Sequence, residues 1–279
     1  MQPEINTIAV MGTGIVGGSL LAFLREQGRD VRAYDPPKRL GSTRDLEAAD
    51  AVFVAVPTPY TAGRGFDDSH LLMALRDIPG EKLVIIKSTV LPGTTDLMQE
   101  RFRQHKFMFN PEFLREATAY DDFINPDRQI VGVTAKSRNH AQAVMALLPR
   151  APFERVCPAS EAEMAKYVAN SFLAVKVSYS NDIFDLCQRL AIDYGTVRDI
   201  VAADVRIGAS HTDVLDSGYR GYGGSDGAPS AGNISADALR WYDHAAGALG
   251  AKRIVVFGRR LGSGAAVHVA AHRRVEKAI

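Results

Sequence analysis

Residues 8–17 read Ile8-Ala9-Val10-Met11-Gly12-Thr13-Gly14-Ile15-Val16-Gly17, an apolar run that breaks into Gly-x-Gly-x-x-Gly and passes directly into a helical pattern. This passage limits the possible folds more sharply than any other. Glycine at the first position turns the chain off the end of a strand. Glycine at the second lets a ligand approach bare backbone, and glycine at the third lets the next helix pack closely on that strand. The helix start then offers unpaired N–H groups and a favourable dipole to phosphate. About twenty residues on, Asp35 ends the next apolar run, where a carboxylate accepts hydrogen bonds from ribose hydroxyls and repels a 2′-phosphate. Gly12, Thr13, Gly14, Ile15, Val16, Gly17 and Asp35 are the expected cofactor contacts, and NAD is preferred to NADP. Lys38 and Arg39 nearby leave NADP open.

The rest of the first half repeats the rhythm. Val31–Tyr34, Ala51–Val56 and Leu83–Ile86 are apolar and largely β-branched, as in parallel strands covered on both faces. Helical patterns lie between them at Ile15–Gln27, His70–Arg76 and Thr94–Gln104. The alternation predicts an α/β fold: a Rossmann-type, doubly wound parallel sheet over residues 1–155. A helical domain built on one long helix is expected over 156–250, and 251–279 forms a short C-terminal segment. Ser160-x-x-Glu163 reads as a capping box opening that helix, and Gly195 as its stop after Tyr194. At about 34 residues it would be about 50 Å long, enough for the spine of a homodimer. A Gly/Ser/Ala-rich stretch follows at 217–236, then a helix candidate at 238–249 and a strand candidate at 253–257.

Composition narrows the classes. A net charge of +1 gives no bulk attraction to nucleic acid or to a membrane surface. Cys157 and Cys187 lie far apart without metal-ligand spacing, so neither a metal site nor a disulfide framework is expected. No apolar stretch approaches the ~18 residues of a membrane span. The first apolar run ends at once in glycines, unlike a secretory signal, so the expected location is cytoplasmic.

Further motifs carry chemistry. Val56-Pro57-Thr58-Pro59 and Lys87-Ser88-Thr89-Val90 each follow a strand, at the carboxyl edge where open α/β sheets bind ligands. Pro57, Thr58 and Thr89 are the expected contacts there. In Asn110-Pro111-Glu112-Phe113-Leu114-Arg115-Glu116 the two glutamates share a face if the segment is helical, and paired carboxylates can divide acid–base work. Lys166 and Asn170 share a face of the long helix, where a cation and an amide can stabilise an alkoxide. Asp204-Val205-Arg206-Ile207-Gly208 and Arg220-Gly221-Tyr222-Gly223-Gly224 complete the series.

In order and approximate spacing, residues 5–224 resemble the UDP-glucose/GDP-mannose dehydrogenases. The resemblance implies an NAD-dependent oxidation of a sugar C6 alcohol to a carboxylate, in two steps, as in polysaccharide biosynthesis. It implies Glu112 as a general base acting through water, with Lys166, Asn170 and Thr89 as further catalytic residues and Glu116 beside the cofactor. Phe113, Leu114, Arg115, Tyr222 and Gly223 would contact the nucleotide sugar, and Arg206 would reach the substrate of a partner subunit. In the family a nucleophilic Cys, then Pro-Lys-Asp, follows the last glycines. Here Ser225 and then Asp226 follow, and a carboxylate is a poor nucleophile towards an aldehyde. Impaired activity is therefore expected. The family also continues into a further nucleotide-clamping domain, and the change of texture at Ser225 suggests a truncated or frame-shifted coding sequence. A one-step dehydrogenase of the β-hydroxyacid type and a non-catalytic NAD-binding or subunit-pairing protein are the alternatives.

Overall fold

The computed structural model describes residues 4–61, 65–115 and 118–213, with 239, 242–243, 246, 255–256, 273–274 and 277–278 beyond them. The chain forms two compact units, Met1–Val168 and Ala169–Ile279.

The first unit holds β1 (Thr7–Met11), α1 (Ile15–Glu26), β2 (Asp30–Tyr34), α2 (Thr43–Glu47) and β3 (Ala51–Val54). The two-residue strands β4 (Tyr60–Thr61) and β5 (Gly65–Phe66) pair with each other. Then come α3 (Ser69–Asp77), β6 (Leu83–Ile86), α4 (Thr94–Arg101), β7 (Lys106–Phe109), α5 (Ala119–Ile124), β8 (Arg128–Val133), α6 (Ala141–Met145) and β9 (Phe153–Pro158). The main sheet is seven-stranded in the order β2-β1-β3-β6-β7-β8-β9. It is parallel from β2 to β7, as expected. β8 runs antiparallel to β7, however, and β9 parallel to β8, so the sheet is mixed.

The two-residue period of a strand divides each apolar run between two cores. Ala9, Met11, Val52, Val54, Val84, Ile86, Phe107 and Phe109 face α2, α3, α4 and the start of the long helix. Ile8, Val10, Phe53, Ile85, Met108 and Val131 face α1, α5 and α6. Side chains as large as Phe53, Phe107 and Phe109 are fully buried, each contributing about 1.5–3 kcal/mol relative to exposure.

The long helix, α7, spans Ala159–Leu190, 32 residues. Three corrections to the expected helix concern its ends. Ser160 already lies within the helix, and Glu163 caps another helix instead of reaching back to its own start. Gly195 is not the stop. The helix ends at Ala191, in a left-handed conformation with φ 54, where Ile192 N–H bonds to Cys187 O and Ala191 N–H to Gln188 O. That is a Schellman termination without its usual glycine, so the composition carries no stop signal. A new helix, α8 (Tyr194–Ala202), then starts from Asp193, whose side chain accepts from Thr196 N–H. Gly195 sits in its first turn.

Within the second unit, Lys176 Nζ donates to Ile207 O at 2.6 Å and Gly208 O at 2.9 Å, and Tyr194 OH to Thr212 O at 2.6 Å. Val255–Val256 pairs in parallel with Lys277–Ala278. Among the described residues no helix is long and apolar enough to cross a membrane.

The start of α7 lies against β8 at Gly132. A Cβ there would stand 2.9 Å from both Ala159 Cα and Ala162 Cβ. Gly132→Val is expected to destabilise the fold by about 1–3 kcal/mol through overpacking. Urea unfolding would show a lower midpoint at unchanged slope.

Candidate cofactor and substrate site

The chain leaves β1 for β2 on one side and returns to β3 on the other, so a crevice opens above the end of β1, where such sheets bind ligands. Gly12 turns there with φ 81, and a Cβ on it would come within 2.6 Å of Ala55 O. A Cβ on Gly17 would lie 1.9 Å from Gly12 O. A Cβ on Gly14 would meet nothing within 4 Å, so that backbone faces open space. Gly14 is also the N-cap of α1, with no side-chain cap and no acid in the first turn. Bare backbone and free amides fit a pyrophosphate. Ile15 is exposed beside them and Val16 half-buried.

Asp35 is buried at the end of β2 and accepts from Thr13 N–H at 2.8 Å and Thr13 Oγ1 at 2.7 Å. Burial pushes its carboxyl up, but the Thr13 hydrogen bonds and the Lys38 charge outweigh that and hold it below the usual range. Lys38 Nζ bonds Thr13 O at 2.6 Å and stands 3.6 Å from Asp35. The phosphate turn and the acidic residue are thus one hydrogen-bonded unit.

Along the same edge, the loops after β3 and β6 are joined. Ser88 Oγ donates to Val56 O at 2.7 Å and Thr58 Oγ1 to Thr89 O at 2.6 Å. Pro57 is exposed between them.

A charged cluster follows. Lys166 Nζ, nearly buried on α7, pairs with Glu112 Oε1 at 2.7 Å and also donates to the Glu112 carbonyl. Leu114 N–H donates to Glu112 Oε2 at 2.8 Å. The Phe113 ring lies 5.3 Å from Lys166 Nζ and 3.8 Å from the Arg128 guanidinium. Only Gly132 and Val133 of β8 pair with β7, so the start of β8, with Arg128, is hydrogen-bonded on its β9 side alone. Residues 110–115 are not helical, so Glu112 owes its place to β7 and to Lys166 and not to a helix face.

Beneath the pair lies a buried relay built on the first residues of two of the motifs, Lys87 and Asn110, neither of which has a role in the expected chemistry. Lys87 Nζ donates to Asn110 Oδ1 at 2.6 Å, and Asn110 Nδ2 donates to Gln129 Oε1 at 2.9 Å and Ile130 O at 2.7 Å. It ties the ends of β6, β7 and β8 together just before Glu112. The signal was a lysine closing an otherwise apolar strand, a position where a charge has to be internally satisfied.

Other expected residues are placed as follows. Arg115 is exposed and paired with Asp122 at 2.6 Å. Leu114 packs against the core shared with α1. Asn170 lies in the second unit, half-buried on α7 one turn after Lys166, and Arg206 is exposed there and paired with Asp204. Glu116, Tyr222, Gly223 and Asp226 lie outside the described residues. Cys157 is half-buried, and burial pushes its thiol up, away from the reactive thiolate. Among the described residues no group of His, Cys, Asp and Glu is placed to hold a metal ion.

A sheet that bares a phosphate-sized turn where its strand order reverses, and gathers a cation–carboxylate pair on the same edge, has the architecture of a dinucleotide-binding domain. Residues 37–148 match the model of the UDP-glucose/GDP-mannose dehydrogenase family, NAD binding domain, and residues 160–231 its central domain. The chain belongs to that family, and its cofactor is NAD. It is 31% identical to a UDP-glucose 6-dehydrogenase of Haloferax volcanii, over 78% of this chain and 62% of that protein. It is 37% identical to a UDP-glucose 6-dehydrogenase of Rhizobium meliloti, over 67% of this chain and 46% of that one. The chain thus spans about half the length of the curated relatives it matches. A solved UDP-glucose dehydrogenase from Pyrobaculum islandicum shares the fold, with TM-score 0.68 and 24% identity over 99% of this chain and 82% of that one.

Burial pushes the Lys87 ammonium down to about 8, with Glu112 offsetting part of the effect and Lys166 adding to it. Below that pH the burial penalty is present in full. Between about pH 8 and the ordinary lysine value near 10.4, the unfolded chain keeps a proton that the folded one has released, so raising the pH stabilises the fold. Wild type should therefore gain stability relative to Lys87→Met across that window, by at most about 1.4 kcal/mol per pH step of one. Urea unfolding of both proteins at each pH measures the difference, and a flat difference counts against the assignment.

Proposed function

We propose that this chain binds NAD and a nucleotide sugar of the UDP-glucose type, and that it carries out at most the first oxidation of the C6 alcohol. The Glu112–Lys166 pair on the cofactor edge of the sheet carries this reading. Gly12 to Gly17 would hold the pyrophosphate and Asp35 the adenosine ribose. Pro57, Thr58, Thr89 and Glu116 would stand at the nicotinamide end. NAD, when bound, accepts hydride from C6. Glu112 takes the hydroxyl proton through a water, and Lys166 and Asn170 donate hydrogen bonds to the sugar oxygen as negative charge develops on it. Phe113, Leu114, Arg115, Tyr222 and Gly223 contact the sugar nucleotide, and Arg206 reaches the substrate of a partner subunit. Residues 1–155 serve as the cofactor domain and 156–250 as the central domain, with 251–279 a short segment after it, in a cytoplasmic protein.

The second oxidation needs a nucleophile that is also a leaving group, and Asp226 is neither towards an aldehyde. With UDP-glucose and excess NAD, the expected yield is at most one NADH per sugar, read by absorbance, with the aldehyde as product. Two NADH with free acid would refute the impairment.

A homodimer through α7 is part of the proposal. Phe172, Val175, Tyr179, Leu186 and Leu190 are exposed at helical spacing, an apolar stripe of the kind two antiparallel copies bury between them. Light scattering after gel filtration should give a dimer mass for the chain and a monomer mass for Phe172→Glu/Tyr179→Glu. A monomeric wild type would remove the assembly.

A further inference from the structure

Glu163 is a fully buried carboxylate that the proposed chemistry leaves unused. It stands one turn before Lys166 on α7, and both its oxygens reach a different helix. Oε2 accepts from Gly93 N–H at 2.6 Å, and Oε1 from Thr95 N–H at 2.8 Å and Thr95 Oγ1 at 2.6 Å. Gly93 is the N-cap of α4, with φ 92 and no side chain to satisfy the helix start. α7 therefore supplies the cap, and its charge lies at the positive end of α4. Burial pushes the Glu163 carboxyl up, against the pull of the Thr95 and Gly93 hydrogen bonds.

The consequence concerns the loop between β6 and α4. Its first residues are tied to the β3 loop by Ser88 Oγ on Val56 O and by Thr58 Oγ1 on Thr89 O. Its far end is tied to α7 by Glu163. The same helix places Lys166 on Glu112, so a short stretch of α7 fixes both the loop carrying Thr89 and the charged pair. A cap needed only for helix stability is normally supplied by the helix's own first residues. Taking it from the helix that carries Lys166 couples two parts of one site.

We propose that Glu163 is a positioning residue for the nicotinamide half of the cofactor: by capping α4 from α7, it sets the Thr89 loop against Lys166. The inference rests on reading that loop as the nicotinamide contact.

ADP-ribose, which has the adenosine, pyrophosphate and second ribose but no nicotinamide, separates the two halves of the site. Calorimetry would compare NAD and ADP-ribose affinities for the full chain, for Glu163→Gln and for Thr95→Val, alongside thermal unfolding. Glu163→Gln turns an amide NH₂ towards N–H donors, so NAD binding should weaken by about tenfold, the scale of one charge-assisted hydrogen bond. ADP-ribose affinity should stay within about twofold. Thr95→Val keeps the carboxylate and both backbone bonds and should weaken NAD by about threefold, again sparing ADP-ribose. Thr95→Ser should behave as wild type. Parallel losses of both ligands, or no change in either, would reduce Glu163 to a structural cap and overturn the inference. If Glu163→Gln does not fold, the ratio for Thr95→Val decides alone. A wild type that binds neither ligand sinks the cofactor reading itself, and the inference with it.

Discussion

The close seat of α7 on β8 is the contact on which the rest of the site depends. With hydrogen alone at Gly132, Ala159 and Ala162 come down onto the strand. The next polar residues of α7 are then forced inward. Glu163 meets the bare start of α4, and one turn later Lys166 meets Glu112. A larger residue at 132 would lift the helix and detach both. Interiors are packed at crystal-like density, so such a shift has no room to be absorbed locally.

The site's second constraint is electrostatic. Lys87, Lys166, Glu163 and Asp35 are all buried, and an unpaired charge in such surroundings is strongly unfavourable. Each is satisfied by a specific partner from another element: Asn110, Glu112, the α4 amides and the Thr13 turn. Such pairs add little net stability, because desolvation offsets most of their attraction. Their effect is geometric. A buried charge with one acceptable partner allows one arrangement of loops, and the proposed hydride transfer would require that fixed arrangement.

Much of this was legible in the chain, and the limits have physical causes. The first strands stood out because parallel strands covered on both faces are continuously apolar. β8 and β9 did not: β9 is an edge strand carrying Glu154 and Arg155, and β8 opens with the polar pair Arg128-Gln129, so neither reads as a continuously apolar run. The stop of α7 carries no local signal, because Ala191, not glycine, takes the left-handed position. Local spacing pairs Glu163 with Ser160 because it reports only which residues are close in sequence. Its donors are about seventy residues away along the chain, a separation outside any local rule.

What the sequence determined by itself was whatever depends on local backbone chemistry: the bare glycine turn, the carboxylate after β2, the apolar strands and the long helix, and with them the family. These follow from steric freedom at glycine and from the period of buried side chains, which neighbouring residues settle among themselves. Tertiary structure alone decided which charges meet. The pairing of Lys166 with Glu112, the Lys87–Asn110 relay and the capping of α4 by α7 arise where separate elements converge at one edge of the sheet. Close packing and the cost of an unsatisfied buried charge select those partners, and neither acts until the chain has folded.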